Sequence, residues 1–366
     1  MPVDLEQKLA DLICRYSLDV CEGEVVEIRG SVIAEPLIKQ LFIKLLQLGA
    51  YPVTNLSFPE QTFAFFKYAN MSQLDFISDV QLTSMKTVSA VISIDAEINS
   101  RQLSEVDPLK LARRAKATSI LKDIMFDREK RGDLRWNLSP CPTYGMAQDA
   151  EMSFDDYRQF VYEACNLHFD DPISRWESIN IKQKNIIDHF AGKKQLHIIG
   201  EDTDLTLSIQ GRNWINCNGK RNLPDGEIFT SPVENKTEGR ILFDIPTTIM
   251  GVEANKVYLE FKEGRIVHSR ALKGESFLNA IISTDEGASC VGEVAFGLND
   301  FIRKATKNIL FDEKIGRSIH LAIGSSYPEA GGLNKSGIHW DLIKTMREGE
   351  VYFDDVLMYK NGNFIF

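Results

Sequence analysis

One stretch toward the C-terminal end of the chain, residues 291–341, constrains what this sequence can do more than any other. It contains three motifs, which read V-G-E-V-A-F-G-L-N-D at 291–300, D-E-K-I-G-R-S-I-H-L-A-I-G-S-S-Y at 312–327 and N-K-S-G-I-H-W-D at 334–341. Two of the six histidines lie here, among several carboxylates. Imidazole and carboxylate groups gathered in a short window are the usual ligands of divalent metal ions. The stretch therefore predicts a metal site.

The strongest single motif is His339-Trp340-Asp341. On an extended backbone the side-chain period is two, so His339 and Asp341 point to the same side and can hold metal ions from one segment. The alternative is a surface histidine beside a solvated aspartate.

His320 and Glu293 each lie between apolar residues. For His320 the alternative is a core histidine that is hydrogen-bonded to the backbone. A carboxylate such as Glu293 is costly to bury unless it is paired or bound to a cation. Two titratable groups of this kind close to a His-x-Asp pair favour the metal interpretation.

A further candidate lies upstream, in N-L-P-D-G-E-I-F-T-S-P at residues 222–232. Glu227 follows a Pro-Asp-Gly turn and precedes two apolar residues. It is either a third acidic ligand or an exposed residue at the start of a strand, and the spacing alone leaves both interpretations open.

The first half of the chain alternates strands with helices. Apolar, β-branched runs predict strands at 24–28, 51–58 and 88–94, and helical spacing predicts helices at 4–16, 34–48 and 107–129. This order is typical of a parallel α/β layer. Neither G-x-G-x-x-G nor G-x-x-x-x-G-K-[ST] is present, so no nucleotide site is predicted there.

The second half is rich in short strands. Predicted helices at 153–167 and 172–190 precede strands at 195–199, 203–210, 240–243, 256–262 and 265–270, with a hairpin turn at Glu263-Gly264. The predicted fold class is therefore α/β. An N-terminal parallel α/β domain at 1–190 is followed by a β-rich α+β C-terminal domain at 191–366, which carries the metal site.

Composition restricts the partners. A net charge of −10 and a pI near 5.3 argue against nucleic-acid binding, which needs a basic surface. The six cysteines form no C-x-x-C pair and predict free thiols in a reducing compartment. No secretory signal begins the sequence, and no run of about 18 apolar residues is present. We expect a cytoplasmic protein without a membrane partner.

Four motifs occur together and in order. They are P-x-G-E-[IV]-F-T-x-P, G-E-x-x-x-G-x-N, D-E-K-x-G-x-[ST]-x-H-[LI]-A-[IL]-G and N-x-S-x-x-H-x-D, and they span residues 222–341. In this combination the chain resembles the aminopeptidase T and aminopeptidase S family of metallopeptidases, the thermophilic metalloprotease family. A weaker likeness runs through residues 142–153 and the N-terminal α/β part.

The resemblance implies a two-metal site with two divalent ions per chain, such as Zn, Co or Mn. The matching ligand positions are Glu227, Glu293, His320, Tyr327, His339 and Asp341. For Tyr327 the alternative is an ordinary loop tyrosine. The resemblance further implies hydrolysis of peptides with a free N-terminus by a metal-activated water, and a homodimer. Glu227 or Glu293 would carry the proton to the leaving amine.

A second interpretation keeps the fold and changes the chemistry. His320, His339 and Asp341 could form a two-histidine, one-carboxylate site for a single non-haem Fe(II), as in ring-cleaving dioxygenases acting on dihydroxypyridines, some of which resemble this peptidase family. Glu227, Glu293 and Tyr327 discriminate, because a mononuclear iron site does not need them. A non-catalytic binding protein is a third possibility, and the intact ligand set argues against it.

Overall fold

The computed structural model describes residues 4–366, which form two compact units. The first comprises residues 4–173 with 219–223, and the second comprises residues 174–218 with 224–366. A mixed α/β fold, with a parallel sheet first and antiparallel sheets later, is confirmed. The division of the chain into domains at 1–190 and 191–366 stays a prediction.

The first unit is built on a four-stranded parallel sheet. Its strands are β1 (Val25–Ser31), β2 (Tyr51–Ser57), β3 (Ala90–Asp95) and β4 (Arg135–Pro140). They lie in the order β2-β1-β3-β4, and every neighbouring pair is parallel. Residues 219–223 run alongside β4, where the Leu138 amide donates to the Arg221 carbonyl at 2.8 Å.

Helices connect these strands. They are α1 (Leu5–Leu12), continued by a π-helical turn Ile13–Ser17, then α2 (Glu35–Gln47), α3 (Gln61–Tyr68), α4 (Met71–Asp75), α5 (Asp79–Thr87), α6 (Pro108–Arg131), α7 (Tyr144–Asp149) and α8 (Phe154–Ala164). The sequence prediction missed α3, α4 and α5. Two of them carry a readable start signal, because Asn70 and Ser78 each form a capping box with a glutamine three residues later.

Helix α9 (Pro172–His189) runs from the first unit into the second, and all but its first two residues belong to the second unit. The second unit contains a nine-stranded sheet. Its strands are β5 (Gln195–Gly200), β6 (Thr203–Ser208), β9 (Thr237–Phe243), β10 (Thr247–Ile249), β11 (Val252–Lys262), β12 (Arg265–Lys273), β16 (Glu350–Phe353), β17 (Val356–Lys360) and β18 (Asn363–Phe364). The Glu263-Gly264 hairpin joins β11 to β12 as predicted. Both residues have positive φ, as a two-residue hairpin of type I′ requires.

A second, five-stranded sheet carries the candidate site. Its strands are β7 (Ile215–Cys217), β8 (Glu227–Thr230), β13 (Val291–Gly297), β14 (Ser318–Gly324) and β15 (His339–Thr345). They lie in the order β15-β14-β13-β8-β7, and all pairs are antiparallel. Two short helices, α10 (Glu275–Ile282) and α11 (Ile309–Asp312), and 3-10 turns at Glu286–Ser289 and Pro328–Ala330 complete the unit; a further 3-10 turn, Val32–Ala34, lies in the first unit.

One face of the five-stranded sheet is the apolar core. Val294 and Leu321 pack in a cluster with residues of the nine-stranded sheet such as Leu205 and Phe243. Since side chains alternate along each strand, the residues between these core positions point to the other face. That face carries the acidic and imidazole groups of the predicted site.

A bulge in β13 sets this alternation. The register between β13 and β14 shifts between Val291 and Glu293, so Val291 joins the core while Glu293 faces the other way. Gly292 makes the bulge possible, because a Cβ there would lie 2.3 Å from the Ser325 carbonyl oxygen.

Across residues 4–366, no helix combines the length and the apolar character that crossing a membrane requires.

In the first unit, Glu27 lies in the middle of β1 and is buried. Its carboxylate accepts hydrogen bonds from Arg29 at 2.7 Å, from Asn55 at 2.9 Å and from the Ser84 hydroxyl. Burial acts to raise the pKa of Glu27, but these donors outweigh it and hold the pKa below its usual range.

We therefore expect Glu27→Gln to lower the free energy of unfolding by about 1–3 kcal/mol at pH 7. Because the pKa is lower in the folded state, the stabilisation is complete above the unfolded pKa of about 4.3 and disappears as the pH falls through the folded value. Urea unfolding at several pH values should show the difference from wild type shrinking below about pH 4. Exposed Glu105→Gln is the control. A difference that does not change with pH would contradict the assignment.

Candidate metal centre

Four of the predicted ligand residues come from three adjacent strands. His339 and Asp341 lie on β15, His320 on β14 and Glu293 on β13. In the register of the sheet, Ala322 lies between Asp341 and Glu293, and Ala295 lies beside His320. The alanines leave the space between the longer side chains open, so the polar groups converge.

Glu293 is central to the arrangement. Its Oε1 lies 3.4 Å from Nε2 of His320, and its Oε2 lies 3.4 Å from Nε2 of His339. The same His339 nitrogen is 3.4 Å from Oδ1 of Asp341. One carboxylate therefore faces both imidazoles, which is the arrangement of a group shared by two cations.

Glu227 lies at the first position of β8 and is only 5% exposed. Its Oε2 is 3.7 Å from Nε2 of His320. The backbone beneath it is fixed by Gln183 of α9, whose Nε2 donates to the Glu227 carbonyl at 2.6 Å and to the Cys217 carbonyl at 3.1 Å. Glu227 thus faces the cluster, and the interpretation as an exposed turn residue does not apply.

Three groups of possible ligands are found within residues 4–366. They are Glu227, Glu313 and His320; Glu293, His339 and Asp341; and Cys217, Asp225 and Glu227. In each group one donor atom per residue lies within 4.8 Å of the others. The first two groups share no residue and contain one imidazole and two carboxylates each, which suits two separate divalent ions.

The field of the carboxylates acts strongly on the two histidines. Burial acts to lower the pKa of His320, but Glu293, Glu227 and Asp341 outweigh it and raise the pKa to about 9. For His339, burial again acts downward, and Asp341 and Glu293 raise the pKa to about 12. The cluster therefore favours positive charge at the position of both imidazole Nε2 atoms.

The pKa values of the carboxylates are shifted by burial and by the neighbouring cationic groups. Burial raises the pKa of Glu227 well above its usual range, although Lys314 and His320 act against it. Burial also acts to raise the pKa of Asp341, but the histidines outweigh it and the pKa falls to about 2. Asp341 is therefore ionised at every physiological pH, although its side chain is almost completely buried.

The residues fit two divalent cations on chemical grounds. Glu227 Oε2 and Asp341 Oδ1 are buried and have no hydrogen-bond donor among the described residues. Five carboxylates stand against one lysine, so with every carboxylate ionised and both histidines neutral, as metal ligands are, the cluster carries four negative charges, which two divalent ions offset. The residues counted are Asp225, Glu227, Glu293, Glu313, Lys314 and Asp341.

The surroundings orient His339. Its Nδ1 donates to the Ser325 carbonyl at 2.8 Å, which leaves Nε2 to face the carboxylates. The loop that leads into β15 is held by Asp285, whose Oδ2 accepts from the Gly337 amide at 2.7 Å and from the Ser336 hydroxyl at 2.9 Å. The position of His339 is thus fixed from both sides.

Tyr327 lies at the margin of the cluster and is 39% exposed. Its ring centroid is 5.1 Å from that of His339 and 5.0 Å from that of Phe229. Its backbone amide donates to the Ser231 hydroxyl at 3.2 Å. The structure brings the side chain beside the cluster, and its role as a ligand stays a prediction.

Glu313 and Lys314 were not singled out by the sequence analysis. The D-E-K motif that contains them was recognised only as part of a family pattern. In the structure Lys314 is fully buried, its Nζ lies 3.8 Å from Glu227 Oε1, and it hydrogen-bonds to Glu313. The available signal was the charged pair Glu313-Lys314 close to the apolar Phe311. Charged residues are rarely buried without a partner, so a pair of opposite charges in apolar surroundings indicates a buried ion pair.

A sequence model described as thermophilic metalloprotease (M29) matches residues 4–364 of this chain. Among characterised relatives, aminopeptidase 2 of Geobacillus stearothermophilus is 24% identical over 421 residues, covering 98% of this chain and 97% of the relative. Aminopeptidase T of Thermus thermophilus is 25% identical over 350 residues, covering 88% and 85%. Aminopeptidase AmpS of Bacillus subtilis is 30% identical over 240 residues, covering 56% and 58%.

Two solved structures share the fold. Wild-type AmpT from Thermus thermophilus superposes with a TM-score of 0.86 at 23% identity, covering 99% of both chains. The 2,5-dihydroxypyridine dioxygenase from Pseudomonas putida KT2440 superposes with a TM-score of 0.58 at 12% identity, covering 98% of this chain and 96% of that one. At these identities the structural likeness concerns the fold.

We expect Glu293→Ala to remove binding of both divalent ions, because the Glu293 carboxylate faces both imidazoles. His339→Ala should weaken one position and leave the other. Both proteins should stay folded, since the two substitutions lie on the polar face of the five-stranded sheet and leave its apolar core face unchanged. Equilibrium dialysis against Mn²⁺ measures the stoichiometry, and circular dichroism checks folding. If folded Glu293→Ala still bound two ions as tightly as wild type, the site would be wrongly assigned.

Proposed function

This chain belongs to the thermophilic metalloprotease (M29) family, and we propose that it is a dinuclear aminopeptidase that removes N-terminal residues from peptides. The observation that carries the proposal is the pair of ligand groups that share no residue, one around His320 and one around His339. The relatives named as aminopeptidases, two of which align over almost the whole chain, support the same activity.

The proposed ligands are the six positions that the sequence indicates, namely Glu227, Glu293, His320, Tyr327, His339 and Asp341. Glu227 and His320 belong to one position, and His339 and Asp341 to the other. Glu293 lies between them, with one oxygen toward each imidazole. Two divalent ions held there, Zn, Co or Mn, would lower the pKa of a water and polarise the scissile carbonyl.

A proton must then move from the attacking water to the leaving amine. Glu227 and Glu293 are the proposed carriers. Both oxygens of Glu293 lie 3.4 Å from a histidine nitrogen, whereas Glu227 Oε2 lies 3.7 Å from His320 and has no hydrogen-bond donor among the described residues. This looser contact supports Glu227 as the better placed of the two.

Selection of the peptide N-terminus follows from charge. The cluster is strongly acidic, and the whole chain carries a net charge of −10. A free α-ammonium group is attracted to such a site, while a C-terminal carboxylate is repelled. A blocked N-terminus loses this attraction, which supports an exopeptidase acting from the amino end.

The alternative is the mononuclear Fe(II) dioxygenase, whose site would use His320, His339 and Asp341. Nε2 of His320 lies 4.0 Å from Asp341 Oδ1, so this triad is also compact. A mononuclear iron site would not use Glu227 and Glu293 as ligands, although both are buried and lie within 4 Å of His320 Nε2. Two buried carboxylates in excess favour the dinuclear hydrolase.

We also propose a cytoplasmic homodimer. Support for association comes from the first unit, where edge strand β2 exposes Tyr51 and Val53 and helix α2 exposes Phe42 and Leu46. Light scattering after gel filtration should give twice the chain mass of 41.4 kDa. A single-chain mass at micromolar concentration would contradict the dimer.

The function is tested on protein reloaded with Zn²⁺, Co²⁺, Mn²⁺ or Fe²⁺. We expect two ions per chain together with hydrolysis of aminoacyl-anilides, because the two ligand groups are separate. An N-acetylated anilide should not be cleaved, since it lacks the α-ammonium group. One Fe²⁺ per chain, no hydrolysis and oxygen uptake with an aromatic diol would replace the hydrolase by the dioxygenase.

A further inference from the structure

The segment 306–316 is folded tightly before it reaches the metal centre. Asp312 accepts hydrogen bonds from the Thr306 amide at 2.7 Å and hydroxyl at 2.9 Å, and from the Lys307 amide at 2.8 Å. The Lys314 carbonyl accepts from the Asn299 amide at 3.1 Å. The backbone of Glu313 and Lys314 is therefore held on both sides, and their side chains enter the cluster from a fixed base.

Lys314 is the unusual member of the pair. It is fully buried, and its Nζ lies beside two carboxylates that belong to a proposed cation position. Burying an ammonium group is costly unless it is paired. Here the pairing is double, because Nζ hydrogen-bonds to Glu313 Oε1 and lies 3.8 Å from Glu227 Oε1.

The contact with Lys314 distinguishes the two oxygens of the Glu227 carboxylate. Glu227 Oε1 is on the Lys314 side, and Oε2 is left facing Nε2 of His320 at 3.7 Å. Glu313 likewise offers Oε1 to Lys314 and lies in one donor group with Glu227 and His320. Lys314 thus contacts one oxygen of each glutamate, and for Glu227 the other oxygen faces His320.

We propose that Glu313 is a further carboxylate of the ion position formed by Glu227 and His320, and that Lys314 is the positioning residue that fixes both glutamates. The inference rests on the proposed dinuclear function and adds a residue to the six. It gives each ion one imidazole and two carboxylates, with Glu293 turned toward both.

Two roles of Lys314 predict effects of opposite sign. A positive charge near a cation position repels the cation, so removing that charge alone would strengthen metal binding. Removing a positioning residue leaves Glu227 and Glu313 free to rotate or to take up a proton, which weakens binding. Losing the groups that orient a ligand typically costs about 10–100-fold in affinity.

The test is Lys314→Met, which keeps the length and removes the charge. Titration with Mn²⁺ should show one ion bound as in wild type and the second bound about 10–100-fold more weakly. Both proteins are then loaded with the same small excess of Mn²⁺ over two ions per chain, and their electron paramagnetic resonance spectra are compared. Wild type should give the signal of a spin-coupled pair, because two-metal sites hold their ions about 3.5–4 Å apart, and Lys314→Met should give the signal of an isolated Mn²⁺ ion.

Lys344→Met is the matched control. Lys344 is also buried, on β15, but it points to the opposite face and donates to the carbonyls of Glu201 and Leu242. We expect it to lower stability and to leave both Mn²⁺ affinities unchanged. Equal weakening in Lys344→Met would assign the effect of Lys314→Met to general loosening of the sheet and overturn the inference.

Glu313→Gln provides the second variant, and its partly accessible side chain makes folding easier to retain. It should weaken the same ion, because an amide is a poorer ligand for a divalent cation. Tighter or unchanged binding of both ions in Lys314→Met, or in Glu313→Gln if Lys314→Met does not fold, overturns the inference while leaving the dinuclear function intact. Failure of wild type to bind a second ion or to hydrolyse peptides overturns the function itself.

Discussion

The proposed metal centre depends on one unfavourable arrangement, which is a group of carboxylates placed close together and away from water. Each would prefer to be solvated or neutral, and their proximity adds mutual repulsion. Glu293 and Asp341 stay ionised because the imidazoles beside them carry compensating charge, and Lys314 partly neutralises Glu227. Positive charge stabilises such a cluster, and divalent cations at the proposed site would supply it.

The five-stranded sheet allows the protein to fold with this arrangement in place, because the two faces of the sheet have different roles. Its inner face is apolar and packs on the larger sheet, while its outer face collects the polar groups. The sequence already contains this pattern, because His339 and Asp341 flank a buried tryptophan and His320 lies between isoleucine and leucine. The parallel sheet, the hairpin at Glu263-Gly264 and the shared face of His339 and Asp341 could therefore be predicted from strand patterns, turn residues and alternation. Glu227, Glu293 and His320 joined the predicted set through a recognised set of motifs.

Other features could not be predicted in this way. Helices α3 to α5 are short, and two of them begin at polar capping boxes, so an apolar periodicity search passes over them. Glu313 and Lys314 enter the site from a loop, where no periodicity states which way a side chain points. The face occupied by Glu293 depends on a bulge at Gly292, and a bulge reverses the parity on which the strand argument rests.

The outer and inner faces of this sheet belong to the same backbone, and this has an evolutionary consequence. Glu293 is followed directly by the core residue Val294, and Asp341 lies between Trp340 and Leu342. Neighbouring Cα atoms are about 3.8 Å apart, so a change of side-chain volume in the core displaces a proposed ligand almost directly. Under the proposed function, stability and turnover therefore depend on the same few strands. Adaptation to a new growth temperature has more freedom in the parallel sheet and in the outer strands of the larger sheet, where a substitution can be tested without altering the chemistry.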